Sequence, residues 1–429
     1  MAGCEAAWQI ARAGVPVLLY EMKPGKYSPA HESPLFAELI CSNSLKAMRV
    51  ESAAGLLKEE MRRFGSLLME CADRSAVPAG GALAVDRGEF SRLATEQIRA
   101  HPLITVVSEE VCSLPEKGIT VVATGPLTSD ALARDISALC GGCLSFYDAA
   151  APIVTAESVD MGLAFTASRY DKGEDDDYIN CPMNKEEYER FYEALLAAER
   201  APVHDFDMRD PKVYEGCMPV EVMAQRGKDT LRFGPLKPVG LRDPRTGRRP
   251  WAVVQLRKEN RAGSLYNLVG FQTNLKFGEQ KRVFGLIPAL HSADFMRYGV
   301  MHRNTFLDSP RLLNAGYQMR KNPELFFAGQ ITGVEGYMES ASSGILAGLN
   351  AVRRLRGENP LFLPGVTMMG ALAGYISDET VKRFQPMGAN FGVLPPIKPH
   401  IRDKKERYAA LSRRALEQLD IIIKEQERL

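Results

Sequence analysis

Two cysteines sit in surroundings that could make a thiol react. Cys41 lies in CSNSL, flanked by Ser42, Asn43 and Ser44, whose side chains can donate hydrogen bonds and cap a helix. Cys217 lies in YEGCMPVEV, between a glycine and a Met-Pro pair that fixes the backbone, with Glu215 and Glu221 nearby. A thiolate is a nucleophile, and a neighbouring carboxylate could carry a proton, although it also tends to raise a thiol pKa. The competing reading of each is a small half-buried residue without chemistry. Cys140 and Cys143 form CGGC, a redox pair or half a metal site. No second pair or histidine cluster has ligand spacing, so no metal is expected.

Reactive side chains need a frame, and the most organised stretch is residues 326–351, FFAGQITGVEGYMESASSGILAGLNA. It reads as a short buried strand ended by Gly329, a glycine-punctuated loop, and a small-residue helix from about Glu339. Glycine costs a helix roughly 1 kcal/mol against alanine, so Gly344 and Gly348 imply that something packs very close. A strand, a glycine turn and a helix N-terminus make a seat for an anion. The alternative is a tight strand–helix unit with no ligand.

The chain opens on a helix from about Cys4 to Ala13, ended by Gly14 and followed by a buried strand that finishes in an acid, Glu21. Helix, turn, strand and acid form the second half of a dinucleotide-binding βαβ unit, in which the acid holds a ribose hydroxyl. Of G-x-G-x-x-G only Gly3 stands, at the third glycine. Either half of the pyrophosphate loop is lost, or the start was assigned at an internal Met. The second reading is preferred, because a parallel sheet without its central strand would expose a long apolar edge.

A helix is expected over residues 53–74 and strands at ITVVSEEV and GITVVATGPLTS, the second running into a glycine turn at Gly125. The acidic run 174–177 reads as a solvated loop, and residues 185–199 as an amphipathic helix. Residues 231–276 read as strand-rich and basic, with Arg232, Arg242, Arg248, Arg249, Arg257 and others interleaved with Phe233, Trp251, Tyr266 and Phe271. Positive charge holds phosphates and aromatic faces stack bases, although an ordinary charged sheet face would look the same. The tail from Ile401 reads as an amphipathic helix that packs on this chain or on a partner.

The whole chain sets bounds. Its 429 residues allow two or three domains, and its formal net charge of +1 advertises no global attraction to nucleic acid. The eight scattered cysteines do not form a disulfide framework, and no signal peptide or long apolar run stands out. A cytoplasmic protein with mostly reduced thiols is expected.

Several segments together resemble one family: CSNSL, VPAGGALAVDR, ATGPLTS, NCPM at Asn180, CMPVE at Cys217, GPLKPVGLRDPRTG, YNLVGFQTNLK, RYGVMHRNT, residues 326–351 and QPMGANFG. Over nearly its whole length the chain is similar to the folate- and FAD-dependent tRNA (uracil-5-)-methyltransferases, TrmFO, relatives of the GidA-type flavoproteins. The resemblance implies an α/β fold: a Rossmann-like, glutathione-reductase-like FAD-binding domain lacking its first strand, with an inserted mixed α/β domain. The division expected is 1–135 and 297–396 for FAD, 136–296 for the insert facing substrate, and 397–429 as a C-terminal helical extension.

The resemblance also implies a chemistry: one carbon from 5,10-methylenetetrahydrofolate to C5 of a uridine in the tRNA T-loop, with FAD as cofactor and NAD(P)H as reductant. A thiolate adds at C6, C5 attacks the methylene carbon, and a second group removes the C5 proton. Cys217 and Cys41 match the family's two functional cysteines, and which of them attacks is open. Gly3, Glu21, Lys23, Gly125, Gly329, Gln330, Gly336 and Tyr337 fall at cofactor-contacting positions. His31 is placed as a folate or flavin neighbour, and Arg232 and Arg257 as substrate contacts. A monomer is expected. Two rivals stand: the same chemistry on a ribosomal RNA uridine, and a flavin-deficient RNA-binding homologue.

Overall fold

The structure is a computed structural model of the 429-residue chain. It describes all residues except 29, 143, 172–176, 202–217, 383 and 427–429. Cys217, Glu215, Cys143 and residues 174–176 of the acidic run therefore lie outside the described residues.

Buried apolar side chains fall into two main clusters. The larger draws on the chain from Ala2 to Ile136 and again from Phe306 to Leu419, and the smaller on Val154 to Ala293. The smaller surrounds a six-stranded antiparallel sheet in the order Phe295–Arg297, Ile153–Thr155, Leu265–Leu268, Ala252–Lys258, Tyr178–Met183 and Phe165–Thr166. An antiparallel pair, Leu144–Ala149 with Met301–Phe306, carries the chain out of the larger unit and back.

The larger unit holds the parallel strands, in two separate ladders. Val17–Tyr20 pairs with Ile104–Val107, and Asn322–Phe327 pairs with Thr120–Val122. The first helix, Ala2–Arg12, lies against both ladders and along the helix Tyr337–Leu355. The glycines of that second helix now have a cause. A Cβ at Gly344 would stand 2.2 Å from the carbonyl oxygen of Ala2, and one at Gly348 would stand 2.7 Å from that of Ala6. What packs so close is another helix, not a ligand.

Three expectations need correction. Residues 53–74 form two helices, Ala53–Arg63 and Leu67–Arg74. Gly65 turns left-handed between them at φ 66°, Ser66 caps the second, and Trp8 and Arg12 donate to the carbonyl of Gly65. A helical periodicity that continues across a break hides the break. Residues 231–276 carry two strands, Ala252–Lys258 and Leu265–Leu268, with a long irregular approach before them. Asp177 is buried rather than solvated, and its Oδ2 accepts from the Gly80 amide at 2.8 Å and the Ser168 hydroxyl at 3.1 Å.

The tail forms a helix, Lys404–Gln426, that docks on this chain. Leu411, Ala415 and Leu419 enter the larger core, and Arg63 donates to the Leu416 carbonyl and to Asp420. No helix among the described residues is long and apolar enough to cross a membrane.

Glu60 is buried within this core and caps the helix Met368–Ser377, accepting from the amides of Met368 and Met369 at 2.7 and 2.8 Å. Burial holds its carboxyl up at about 7. A folded-state pKa raised above the unfolded value gives stability that is full below pH ~4.3 and lost as pH rises through about 7. One pKa unit is worth about 1.4 kcal/mol, so Glu60→Gln is expected to flatten the fall in melting temperature between pH 5 and pH 8 by several degrees. Thermal melts of both proteins across that range check it, and parallel curves would refute it.

Candidate functional site

The Cys41 turn is held from three sides. Asn43 is fully buried, and its amide donates to the carbonyls of Val85 at 3.0 Å and Lys258 at 2.9 Å. Arg257, at the end of the strand Ala252–Lys258, donates from Nε to Asn43 Oδ1 at 2.9 Å and from Nη2 to Ser42 Oγ at 2.8 Å. Arg87 opens the helix Arg87–Ala100 and donates to the carbonyls of Leu39 and Ile40, while its Nε pairs with Glu259. The smaller unit thus grips the turn with the Arg257 side chain and the Lys258 carbonyl, and the larger with Arg87, which Glu259 of the smaller unit holds in turn.

Tyr337 supplies the third side. Gly336, at φ 122°, admits the chain to the helix Tyr337–Leu355 in a conformation that glycine adopts without strain. The Tyr337 Oη accepts the amide of Cys41 at 2.8 Å and that of Ser42 at 3.4 Å. The Cys41 thiol reaches the carbonyl of Ala149 at 3.5 Å. Burial, and next the nearby Cys41, push the Tyr337 hydroxyl well above its usual pKa, so it stays protonated. Burial lowers Arg87 to about 10 and also lowers Arg257, yet both stay cationic at neutral pH. The turn therefore stands between two guanidinium groups and a neutral phenol.

Residues suited to a dinucleotide gather at the start of the first helix. A Cβ on Gly3 would touch Ala123 Cβ at 3.5 Å, and one on Gly329 would crowd Ala2 Cβ at 3.1 Å. The helix N-terminus thus meets the loop that carries Gly125 and the loop that carries Gly329. The first turn of a helix offers unpaired N–H groups and the positive end of its dipole, which suit a pyrophosphate. A Cβ on Gly125 would meet nothing within 4 Å, so that loop faces open space. Glu21 follows the strand Val17–Tyr20. These residues fit FAD on three sides: helix N-terminus, glycine loops and ribose acid.

Other expected contacts are engaged elsewhere. Lys23 is buried, donates from Nζ to the Leu35 carbonyl at 2.6 Å and lies 3.6 Å from Glu38, while its amide donates to Glu21 at 3.1 Å. Gln330 donates to Glu335 at 2.6 Å, and His31 Nδ1 lies 2.6 Å from Ser28 Oγ. Arg257 joins the Cys41 turn, whereas Arg232 does not. Arg232 pairs with Asp229 and lies 3.7 Å above the ring of Trp251, which precedes Arg257 by six positions, about 20 Å of extended chain. Glu221, read as a proton carrier, is buried and accepts from Thr273 Oγ1 and the Asn274 amide.

Arg87 and Glu259 escaped the sequence reading. Their only trace was the place of Arg87 in AVDR, after the strand Ala82–Val85 and the helix cap Asp86. Nothing in Lys258-Glu259 signals that it lies against a turn more than two hundred residues earlier.

The family model Glucose inhibited division protein A matches residues 1–359. A Pelotomaculum thermopropionicum protein named Methylenetetrahydrofolate--tRNA-(uracil-5-)-methyltransferase TrmFO is 61% identical over 421 residues, covering 98% of this chain and 96% of its own. Its namesake from Desulfitobacterium hafniense is 62% identical with the same coverage, and the one from Geobacter sulfurreducens is 59% identical over 422 residues, with 98% and 96% covered. Aquifex aeolicus GidA superposes with a TM-score of 0.70 over 100% of this chain and 77% of its own. At 16% identity that likeness speaks for the fold alone, a Rossmann-like α/β architecture with an insert. With the fold and three near-full-length relatives in agreement, the chain belongs to the TrmFO family of methylenetetrahydrofolate--tRNA-(uracil-5-)-methyltransferases.

Proposed function

We propose that this protein methylates uridine at C5 in the T-loop of tRNA. The one-carbon donor is 5,10-methylenetetrahydrofolate, the cofactor FAD and the reductant NAD(P)H. The observation that carries the reading is the bond from the Cys41 amide to Tyr337 Oη at 2.8 Å. It ties a thiol-bearing turn to the helix that follows the Gly329 and Gly336 loop, so the reacting sulfur and the cofactor seat share one frame. The larger unit is assigned to the cofactor and the smaller to RNA.

When bound, FAD supplies the reducing equivalents and relays the one-carbon unit. The chain's own residues activate the base. C5 of uracil is a poor nucleophile, and addition of a thiolate to C6 moves an electron pair onto C5 and O4. C5 then bonds to the methylene carbon. A base takes the C5 proton as the bond from that carbon to its carrier nitrogen breaks, with the electron pair going to nitrogen. A hydride, which the reductant would supply, adds to the same carbon as the thiolate leaves C6 and the ring is restored. Cys41 and Cys217 divide the tasks of C6 nucleophile and C5 base. Arg257, Arg87 and Tyr337 fix the Cys41 turn, which keeps the sulfur within reach and spares the reaction the entropy of ordering it. Gly3, Gly125, Gly329 and Gly336 line the pyrophosphate seat, Glu21 takes the ribose, and Lys23 and Gln330 brace the surrounding loops.

The test is an assay of the purified protein with FAD, methylenetetrahydrofolate and NADPH on unmodified tRNA, tRNA with the T-loop uridine changed to cytidine, and ribosomal RNA. 5-Methyluridine is expected in the first alone. Product only in ribosomal RNA would replace the target, and a colourless protein that binds tRNA without turnover would sink the enzyme reading.

A further inference from the structure

We infer that the stacked rings of Phe277, Tyr298 and Phe295 form a platform on which an unstacked base of the substrate RNA docks beside the Cys41 turn. The inference rests on the proposed RNA reaction and adds where the RNA is held. Phe277 and Tyr298 lie with ring centroids 4.8 Å apart and planes within 14°, and Tyr298 and Phe295 follow at 5.4 Å and 10°. Phe295 in turn meets Phe284 at 6.4 Å, a residue wholly buried in the smaller core. The ladder is thus anchored at one end, while at the other Phe277 is 54% exposed.

The backbone beside Tyr298 ties the ladder to the reacting turn. Arg297 donates to the Ala30 carbonyl at 3.3 Å, in the loop that carries His31. Gly299 exchanges hydrogen bonds with Gln280, and a Cβ there would stand 2.6 Å from the Ala150 carbonyl oxygen. Ala149, the preceding residue, is the acceptor of the Cys41 thiol. Thr273 donates its amide to Ala150, and Val220 donates its amide to Gln272, so the helix Val220–Gln225 begins at the same rim.

The occupant follows from what the reaction must undo. A uracil in a folded loop is reached only after it leaves its stack, which costs a few kcal/mol and also strips its neighbours of partners. A flat aromatic face repays part of that cost for any base, because every base has a π-face. The surroundings suit a phosphate backbone: Lys281 is exposed, Lys276 and Arg282 stand beside it on Glu199 and Glu279, and Arg297 is half-buried.

The test uses the full-length, FAD-loaded protein and its Phe277→Ala, Phe277→Leu and Phe277→Trp variants. Alanine and leucine are expected to raise Kd and KM for unmodified tRNA about 5- to 100-fold, and tryptophan to restore both. Melting temperature, flavin spectrum and KM for methylenetetrahydrofolate should not move. The slope of log Kd against log salt should also hold, because no phosphate contact is removed. Unchanged tRNA affinity in Phe277→Ala overturns the platform. So does a rise in folate KM in place of tRNA KM, which would give the ring to the pterin, or a change in sedimenting mass, which would give it to a second copy. If the wild type makes no 5-methyluridine while Phe277→Ala still loses tRNA, the platform stands and the reaction falls.

Discussion

Cys41→Ala is expected to lose 5-methyluridine formation by on the order of 10³-fold or more while the purified protein keeps its flavin colour. The size follows from the chemistry. Either task open to Cys41, attack at C6 or removal of the C5 proton, is a step that a positioned side chain accelerates by roughly 10²- to 10⁴-fold. The separation from cofactor binding follows from the geometry. Among the described residues the Cys41 thiol makes its hydrogen bond to the Ala149 carbonyl, whereas the bonds that order the turn run through the Cys41 amide and through Ser42 and Asn43, and alanine keeps the amide. Cys217→Ala is expected to behave alike, because it removes the other of the two tasks, and losses from groups that serve one reaction as a unit do not add when both are removed. The double variant should therefore be little slower than either single one. Single-turnover assays with visible spectra would measure both properties. Turnover retained in both single variants removes the cysteine mechanism, and loss of flavin in Cys41→Ala makes the residue structural.

Gly344→Ala is the second change with a large expected effect, on stability and on cofactor retention. Two effects oppose each other. Alanine gains about 1 kcal/mol in helix propensity over glycine. Against it, the new Cβ would stand 2.2 Å from the Ala2 carbonyl oxygen and 2.9 Å from its carbonyl carbon and Cα. Those are backbone atoms of a neighbouring helix, which cannot rotate aside, so the two helices must separate. Overpacking of this kind typically costs 1–3 kcal/mol, and a backbone clash belongs at the upper end, so the clash wins. The expected net loss of about 1–2 kcal/mol lowers the melting temperature by several degrees.

The same shift draws Ala2 and Gly3 away from Gly329 and Ala123, so FAD should be retained less well. Gly374→Ala is the control, because that glycine sits in the helix Met368–Ser377 with nothing within 4 Å of a new Cβ, and the change should stabilise by a few tenths to about 1 kcal/mol. Melts and flavin content of the two variants decide the matter. If Gly344→Ala melts as high as Gly374→Ala, the close helix contact does not limit stability.

The glycine-bearing loops were legible because their requirements are local. A strand that ends in glycine before a polar loop announces its turn in the residues themselves, and Gly329 and Gly336 do take positive φ. The break at Gly65 was equally local yet was missed, because the apolar stripe continues across it and only the Trp8 and Arg12 bonds make the turn necessary. The small residues of the helix Tyr337–Leu355 announced a close neighbour but not which one. Any smooth partner would call for the same residues, and it is the first helix that fills the place.

By itself the sequence determined the family, the α/β class and the helix, turn and strand that lead to Glu21, because these depend on residue type and short-range spacing. Only the tertiary structure decided what surrounds Cys41. Arg257 reaches Asn43 across 214 residues of chain, Tyr337 reaches Cys41 across 296, and Arg87 meets Glu259 across 172. No periodicity encodes such pairs. Each buried guanidinium must find an acceptor when the units close on one another, since an unpaired charge left there would cost several kcal/mol.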